Sequence, residues 1–127
     1  MVEVEREFLP ELASAGAARS FAVTASGADT ELRSTVALLS SELATNAIVH
    51  ARTRFTVHVS TNDERIRIEV SDGSPEPPVR RFSAADAVSG RGLGIVEGYA
   101  SRWGTAPTAH GKTVWCEIDR QAISDHG

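Results

Sequence analysis

The chain has 127 residues, 41% of them hydrophobic and 24% charged, which is ordinary globular composition and sufficient for one buried core. Seventeen acidic against thirteen basic residues give a net charge of −4, which argues against a nucleic-acid backbone binder with its basic face. A single cysteine, Cys116, allows no internal disulfide, and no run approaches the roughly 20 apolar residues of a membrane span. The charged N-terminus is unlike a signal peptide, so a cytoplasmic, single-domain protein covering residues 1–127 is expected, with no direct nucleic-acid or membrane partner.

In chain order, Val2 and Val4 alternate with Glu3 and Glu5, which predicts a strand over 2–8. Pro10 suits the first position of a helix running through Leu12, Ala17 and Phe21, and residues 25–30 read as a loop ending in an N-cap at Asp29. The next helix, about 30–50, has the strongest pattern. Leu32, Val36, Leu39 and Leu43 form one narrow apolar stripe. Two alternating runs follow, Phe55-Val57-Val59 and Ile66-Ile68-Val70, joined by a turn at 61–64, and they predict a hairpin.

From Asp72 the chain changes character, because Gly73, Pro75, Pro77 and Pro78 break regular structure. A second glycine group, Gly90, Gly92 and Gly94, leads into a helical pattern through Ile95, Val96 and Tyr99. Strands at 101–105 and 113–118 close the chain around a turn at 107–111, and the tail from Gln121 reads as frayed. This order predicts an α+β two-layer sandwich, with a mixed, largely antiparallel sheet and helices on one face.

Glu42, Asn46 and His50 succeed each other at four-residue spacing on the long helix. On an ideal helix Asn46 falls roughly 40° and Glu42 roughly 80° from the stripe centre, at the border of the buried face. A carboxylate and an amide there are either satisfied internally or reach the edge of a cavity. His50 falls near the stripe centre, the place of a core histidine. Asp72 shares parity with Ile66, Ile68 and Val70, so its carboxylate faces the helix layer. It can cap its own turn, or accept a hydrogen bond from an exocyclic amine such as adenine carries. The glycines at 90–94 fit either a flexible loop or a helix start that receives phosphate. The paired arginines at 52 and 54, and at 80 and 81, read as solvated surface. The histidines lack metal-ligand spacing with Cys116 or with one another, and no P-loop or nucleophile elbow is present.

Together these segments resemble the GHKL ATPase superfamily, and within it the anti-sigma-factor serine/threonine kinases of actinobacterial type. Residues 41–51, SELATNAIVHA, resemble the N-box; Asp72-Gly73-Ser74-Pro75 resembles the first glycine box, 90–96 the second, and Gly111-Lys112-Thr113-Val114-Trp115 the closing strand. The resemblance implies a Bergerat ATP-binding fold with ATP and Mg²⁺ as cofactors. It implies that Asn46 binds Mg²⁺, Asp72 holds the adenine amino group, Gly92 and Gly94 lie beside the phosphates, and Thr113 supports the base end. Glu42 matches the general base of the kinases. The implied activity is phosphorylation of an anti-sigma-antagonist protein, sequestration of a sigma factor, or both, with a homodimer as the implied assembly. Ser74 and Glu76 stand where the family carries glycines, and this motivates an alternative, a non-catalytic ATP/ADP-dependent switch. A detached histidine-kinase catalytic domain is the remaining reading.

Overall fold

The computed structural model describes residues 1–76, 96 and 98–120. A five-stranded sheet runs in the order β1-β2-β3-β5-β4, formed by β1 (Val2–Phe8), β2 (Phe55–Thr61), β3 (Arg65–Asp72), β4 (Arg102–Pro107) and β5 (Lys112–Asp119). Every pairing among these strands is antiparallel, so the mixed character expected from sequence is not seen among the described residues. Helices α1 (Ala13–Ser26) and α2 (Thr30–Asn46) cover the face that carries Val57, Val59, Ile66, Ile68, Val70, Val114, Cys116 and Ile118. This is the two-layer α+β sandwich anticipated from the order of elements.

The strand periodicity translates directly into layers. Burial alternates without a break along β3 and β5, so odd positions of β3 and of β5 face solvent and even ones face the helices. The β2–β3 hairpin closes at 62–64, where the Asn62 Oδ1 accepts the N–H groups of Glu64 and Arg65 at 2.7 and 2.9 Å. At the edge, Phe8 pairs in register with Phe55, and their rings stack at 5.5 Å. Among the described residues no helix is long and apolar enough to cross a membrane.

The helices depart from expectation in two instructive ways. Helix α1 starts at Ala13 rather than Pro10 and runs to Ser26, through part of the predicted loop. Its buried residues are Ser14, Ala18, Ala22 and Ser26, whereas Leu12 and Ala17 are exposed. Small residues at four-residue spacing bring the α1 backbone close to α2, and packing outweighs the hydrophobicity that favoured Leu12. Gly27 then ends the helix in the left-handed conformation, φ 60°.

Helix α2 begins as predicted, with the Asp29 carboxylate accepting the Leu32 N–H at 3.1 Å. Leu32, Val36, Leu39 and Leu43 are all buried. The predicted helix does not reach His50 in α geometry. From Ala47 to Ala51 it widens into a π-helical turn, with the Arg52 N–H donating to the Ala47 carbonyl at 2.8 Å. Extra residues per turn shift the phase, so Ile48 is buried while His50 is only half-buried. The expectation of a core histidine is thereby corrected.

Candidate functional site

The candidate residues gather at one end of the sandwich. β2 leaves the π turn through a three-residue connection, and its first residue, Phe55, pairs with Asp72, the last residue of β3. Asp72 in turn pairs with Lys112, the first residue of β5. The π turn packs against β3. The Thr53 hydroxyl accepts the Gly73 N–H at 2.8 Å, which ties the connection after the π turn to the chain leaving β3. The end of α2, the end of β3 and the start of β5 therefore share one rim.

Glu42 and Asn46 lie one turn apart on α2, both half-buried, flanked by the buried Leu43, Ala44 and Ala47. This is the border position their helical phase predicted. Among the described residues the Asn46 carboxamide makes no hydrogen bond, so its oxygen is available as a ligand. Arg52, which caps the π turn, adopts a left-handed conformation (φ 58°, ψ 31°), the one non-glycine residue to do so among those described. A side chain in that region costs about 1–2 kcal/mol, so the turn that follows Asn46 stores strain.

Asp72 faces the helix side, as its parity required, and its side chain is 3% exposed. The turn-capping reading of this residue is seen directly. Its Oδ1 accepts the Ser74 N–H at 2.9 Å, the turn-capping bond of a strand-end aspartate. It also pairs with a cation that the sequence did not single out: the Lys112 ammonium, itself 8% exposed, lies 3.0 Å from each carboxylate oxygen. The same ammonium reaches the Ser74 carbonyl at 3.4 Å. The signal for Lys112 was present, since it shares parity with Val114, Cys116 and Ile118 and so must point to the buried face.

Gly111 makes this closure possible. A Cβ on Gly111 would stand 2.0 Å from the Asp72 carbonyl oxygen and 2.8 Å from Gly73 Cα, so only a glycine lets the start of β5 approach the end of β3. Gly73 differs. A Cβ there would meet the Thr53 side chain at 3.4 Å, close to ordinary contact, and its φ lies outside the left-handed range.

Thr113 stands on the opposite face of the sheet from Asp72. Its hydroxyl is 2.7 Å from that of Ser71, with which it pairs in register on the open side. The structure therefore does not bring Thr113 to the Asp72 carboxylate; the neighbouring Lys112 holds that place. Gly92 and Gly94 lie outside the described residues. Of the helix expected after them, Val96 is buried and its carbonyl accepts the Ala100 N–H at 2.8 Å, while Tyr99 is exposed.

As a donor set, a carboxylate, an uncommitted amide oxygen and a buried acceptor at one rim suit a hard cation with a nucleotide. No group of His, Cys, Asp and Glu able to hold a metal by itself occurs among the described residues.

No curated protein matches the chain. A family model, that of the histidine kinase-like ATPase domain, matches residues 8–118. That span includes both helices, the Asp72–Lys112 rim and all of the sheet except most of β1 and the last residue of β5. The chain belongs to the histidine kinase-like ATPase domain family, and so to the ATP-binding GHKL superfamily.

Proposed function

We propose that this ATPase domain is a serine/threonine protein kinase of the anti-sigma regulatory type, whose protein partner is an anti-sigma antagonist, a sigma factor, or both. The observation that carries the reading is the placement of Glu42 one turn before Asn46, on the half-buried flank of α2 that ends at the Asp72 rim. ATP supplies the phosphoryl group, and Mg²⁺ offsets the charge that accumulates on its oxygens. Asn46 presents its amide oxygen to the ion. Asp72 accepts from the amine of the base and so sets the nucleotide's orientation. Glu42 accepts the proton of the serine or threonine hydroxyl as that oxygen bonds to the γ-phosphorus, the bond from that phosphorus to the β–γ bridging oxygen breaks, and ADP leaves. Little covalent help is needed, because phosphoryl transfer depends on alignment and charge neutralisation.

Purified protein, ATP, Mg²⁺ and a candidate antagonist provide the test. Wild type is expected to label the antagonist, and Glu42→Ala to lose about 100-fold or more in rate while still binding nucleotide. Equal rates would remove Glu42 as the base. A second reading has its own support: Ser74 and Glu76 replace glycines, and the Ser74 carbonyl is engaged by Lys112. That reading is a binding switch in which ATP or ADP changes partner affinity without transfer. Nucleotide-dependent capture of a sigma factor with no labelled product would favour it.

A further inference from the structure

We propose that Lys112 is a positioning residue for base recognition, holding the Asp72 carboxylate in one orientation so that the site selects a 6-amino purine over a 6-oxo purine. The inference rests on the reading of Asp72 as the base anchor and adds the residue that determines its specificity.

A carboxylate can only accept, whereas a carboxyl group also donates through its proton. Every hydrogen bond given to Asp72 by described residues comes from a donor. Oδ1 receives the Ser74 N–H at 2.9 Å and the Lys112 ammonium at 3.0 Å, and Oδ2 also lies 3.0 Å from that ammonium. Both oxygens are thus engaged by donors, which hold the carboxylate in one orientation. Oδ1 has two donors already. Oδ2 has one, and retains a lone pair for an incoming N–H.

An ammonium is needed because the carboxylate is 3% exposed, with almost no water to stabilise its charge. Two further features keep the two groups together. The cross-strand register sets Asp72 opposite Lys112, and Gly111 admits the close approach of the two strand ends. Lys112 is moreover held from the far side by the Ser74 carbonyl at 3.4 Å. The result is a fixed lone pair at the rim. The 6-amino group of adenine can donate to it, and the 6-oxo group of hypoxanthine cannot. Without the ammonium nothing from β5 holds the Asp72 side chain in this orientation, its lone pair is no longer fixed on the base, and the discrimination weakens.

The experiment compares ATP and inosine triphosphate by calorimetry with Mg²⁺, using wild type, Lys112→Met, Lys112→Arg and Asp72→Asn. Wild type is expected to prefer ATP by about 10- to 100-fold, the worth of one charge-assisted hydrogen bond. Lys112→Met should bring the two affinities within about threefold, and Lys112→Arg should retain most of the preference. A purely structural lysine would weaken both nucleotides equally and leave the ratio unchanged, and that result would overturn the proposal. If Asp72→Asn keeps the wild-type ratio, the base is not read by Asp72 at all. If Asp72→Asn changes the ratio and Lys112→Met does not, only the role of Lys112 fails.

Should Lys112→Met not fold, wild type decides. Acetylation by acetic anhydride, mapped by mass spectrometry, is expected to show Lys112, the one lysine of the sequence, slow without nucleotide and slower still with ATP. Faster labelling of Lys112 with ATP would mean that the base displaces the ammonium, which refutes the positioning role.

Discussion

Two of the ion pairs that join β3 and β5 are in register, alike in chemistry and opposite in setting. Arg67 and Glu117 face each other in register on the open side of the sheet, and Asp72 and Lys112 do so on the helix side, five residues further along β3. Around the first pair the charges are redundant. Glu117 accepts from Arg67 at 2.8 Å and from Arg102 at 2.7 Å, Arg67 also donates to Glu69 at 2.6 Å, and Arg102 pairs with Asp119. The Arg67 guanidinium lies 4.2 Å from the centre of the Trp115 ring, which itself covers Gly104. Among the described residues the second pair stands as one cation and one anion, both nearly shut off from solvent. A half-exposed ladder contributes modestly and tolerates loss of a member, whereas a buried pair costs desolvation and is a weak reason for stability. The buried pair is better understood as a device for holding a charge at the rim.

The contrast is broken most forcefully at the buried pair. Lys112→Met leaves a carboxylate without its countercharge and is expected to cost about 3–5 kcal/mol, measured by urea unfolding. A double-mutant cycle with Asp72→Asn should give a coupling of about 2 kcal/mol or more, against less than about 1 for Arg67 with Glu117, whose partners are replaceable. Equal couplings would erase the distinction between the two sides of the sheet.

Gly111→Ala comes next. It adds a methyl group where the Asp72–Gly73 backbone already stands, with backbone rather than a flexible side chain as the obstacle. The expected cost is about 2–3 kcal/mol, with ATP affinity falling as the strand ends part. Gly73→Ala, where a Cβ meets only Thr53, is the control and should cost less than about 1 kcal/mol.

On the open side, the hydrogen bond from Arg102, followed by that from Arg67, holds the Glu117 carboxyl below its ordinary range. A carboxyl whose folded pKa is depressed stabilises the fold above its unfolded value, near 4.3, and that contribution is lost as pH falls through the lower folded value. Glu117→Gln is therefore expected to cost about 1–2 kcal/mol at pH 7 and progressively less below pH 4, as followed by thermal unfolding. A cost that stays constant with pH would show that the ladder acts through packing alone. Cys116, between the two pairs on the helix side, has its thiol pushed up to about 12 by burial and should resist alkylation in the native state.

The same strands explain what could be read from sequence and what could not. Period-two alternation in β2, β3 and β5 fixed which residues face the helices, because a strand side chain has only two faces to choose from. Asp72 was placed correctly on that basis, and the rule that placed it also applied to Lys112. Thr113 was assigned by motif instead, and a one-residue step in a strand reverses the face. The α1 stripe was illegible for another reason: Ser14, Ala18 and Ala22 carry no hydrophobic signal that competes with Leu12 and Phe21, and only the proximity of α2 selects them. The phase of Glu42 and Asn46 was legible because α2 is regular up to Asn46. That of His50 was not, since a π turn leaves no mark in residue periodicity.

That turn offers the smallest effect and the sharpest test of whether the nucleotide end of the molecule trades stability for geometry. Arg52 holds the left-handed conformation with a side chain whose described bond, Nε to the Val49 carbonyl at 3.4 Å, is long and exposed. Glycine removes the strain but adds freedom to the unfolded chain, so Arg52→Gly is expected to gain only about 0.5–1 kcal/mol. The turn lies directly after Asn46, and a relaxed cap allows the last helical residues to return toward α geometry, moving the amide away from its place at the rim. Stability should then rise while Mg²⁺-dependent ATP affinity falls, a divergence that no substitution on the open ladder should produce. If both quantities rise together, the strain is incidental to the site, and Asn46 is held by α2 alone.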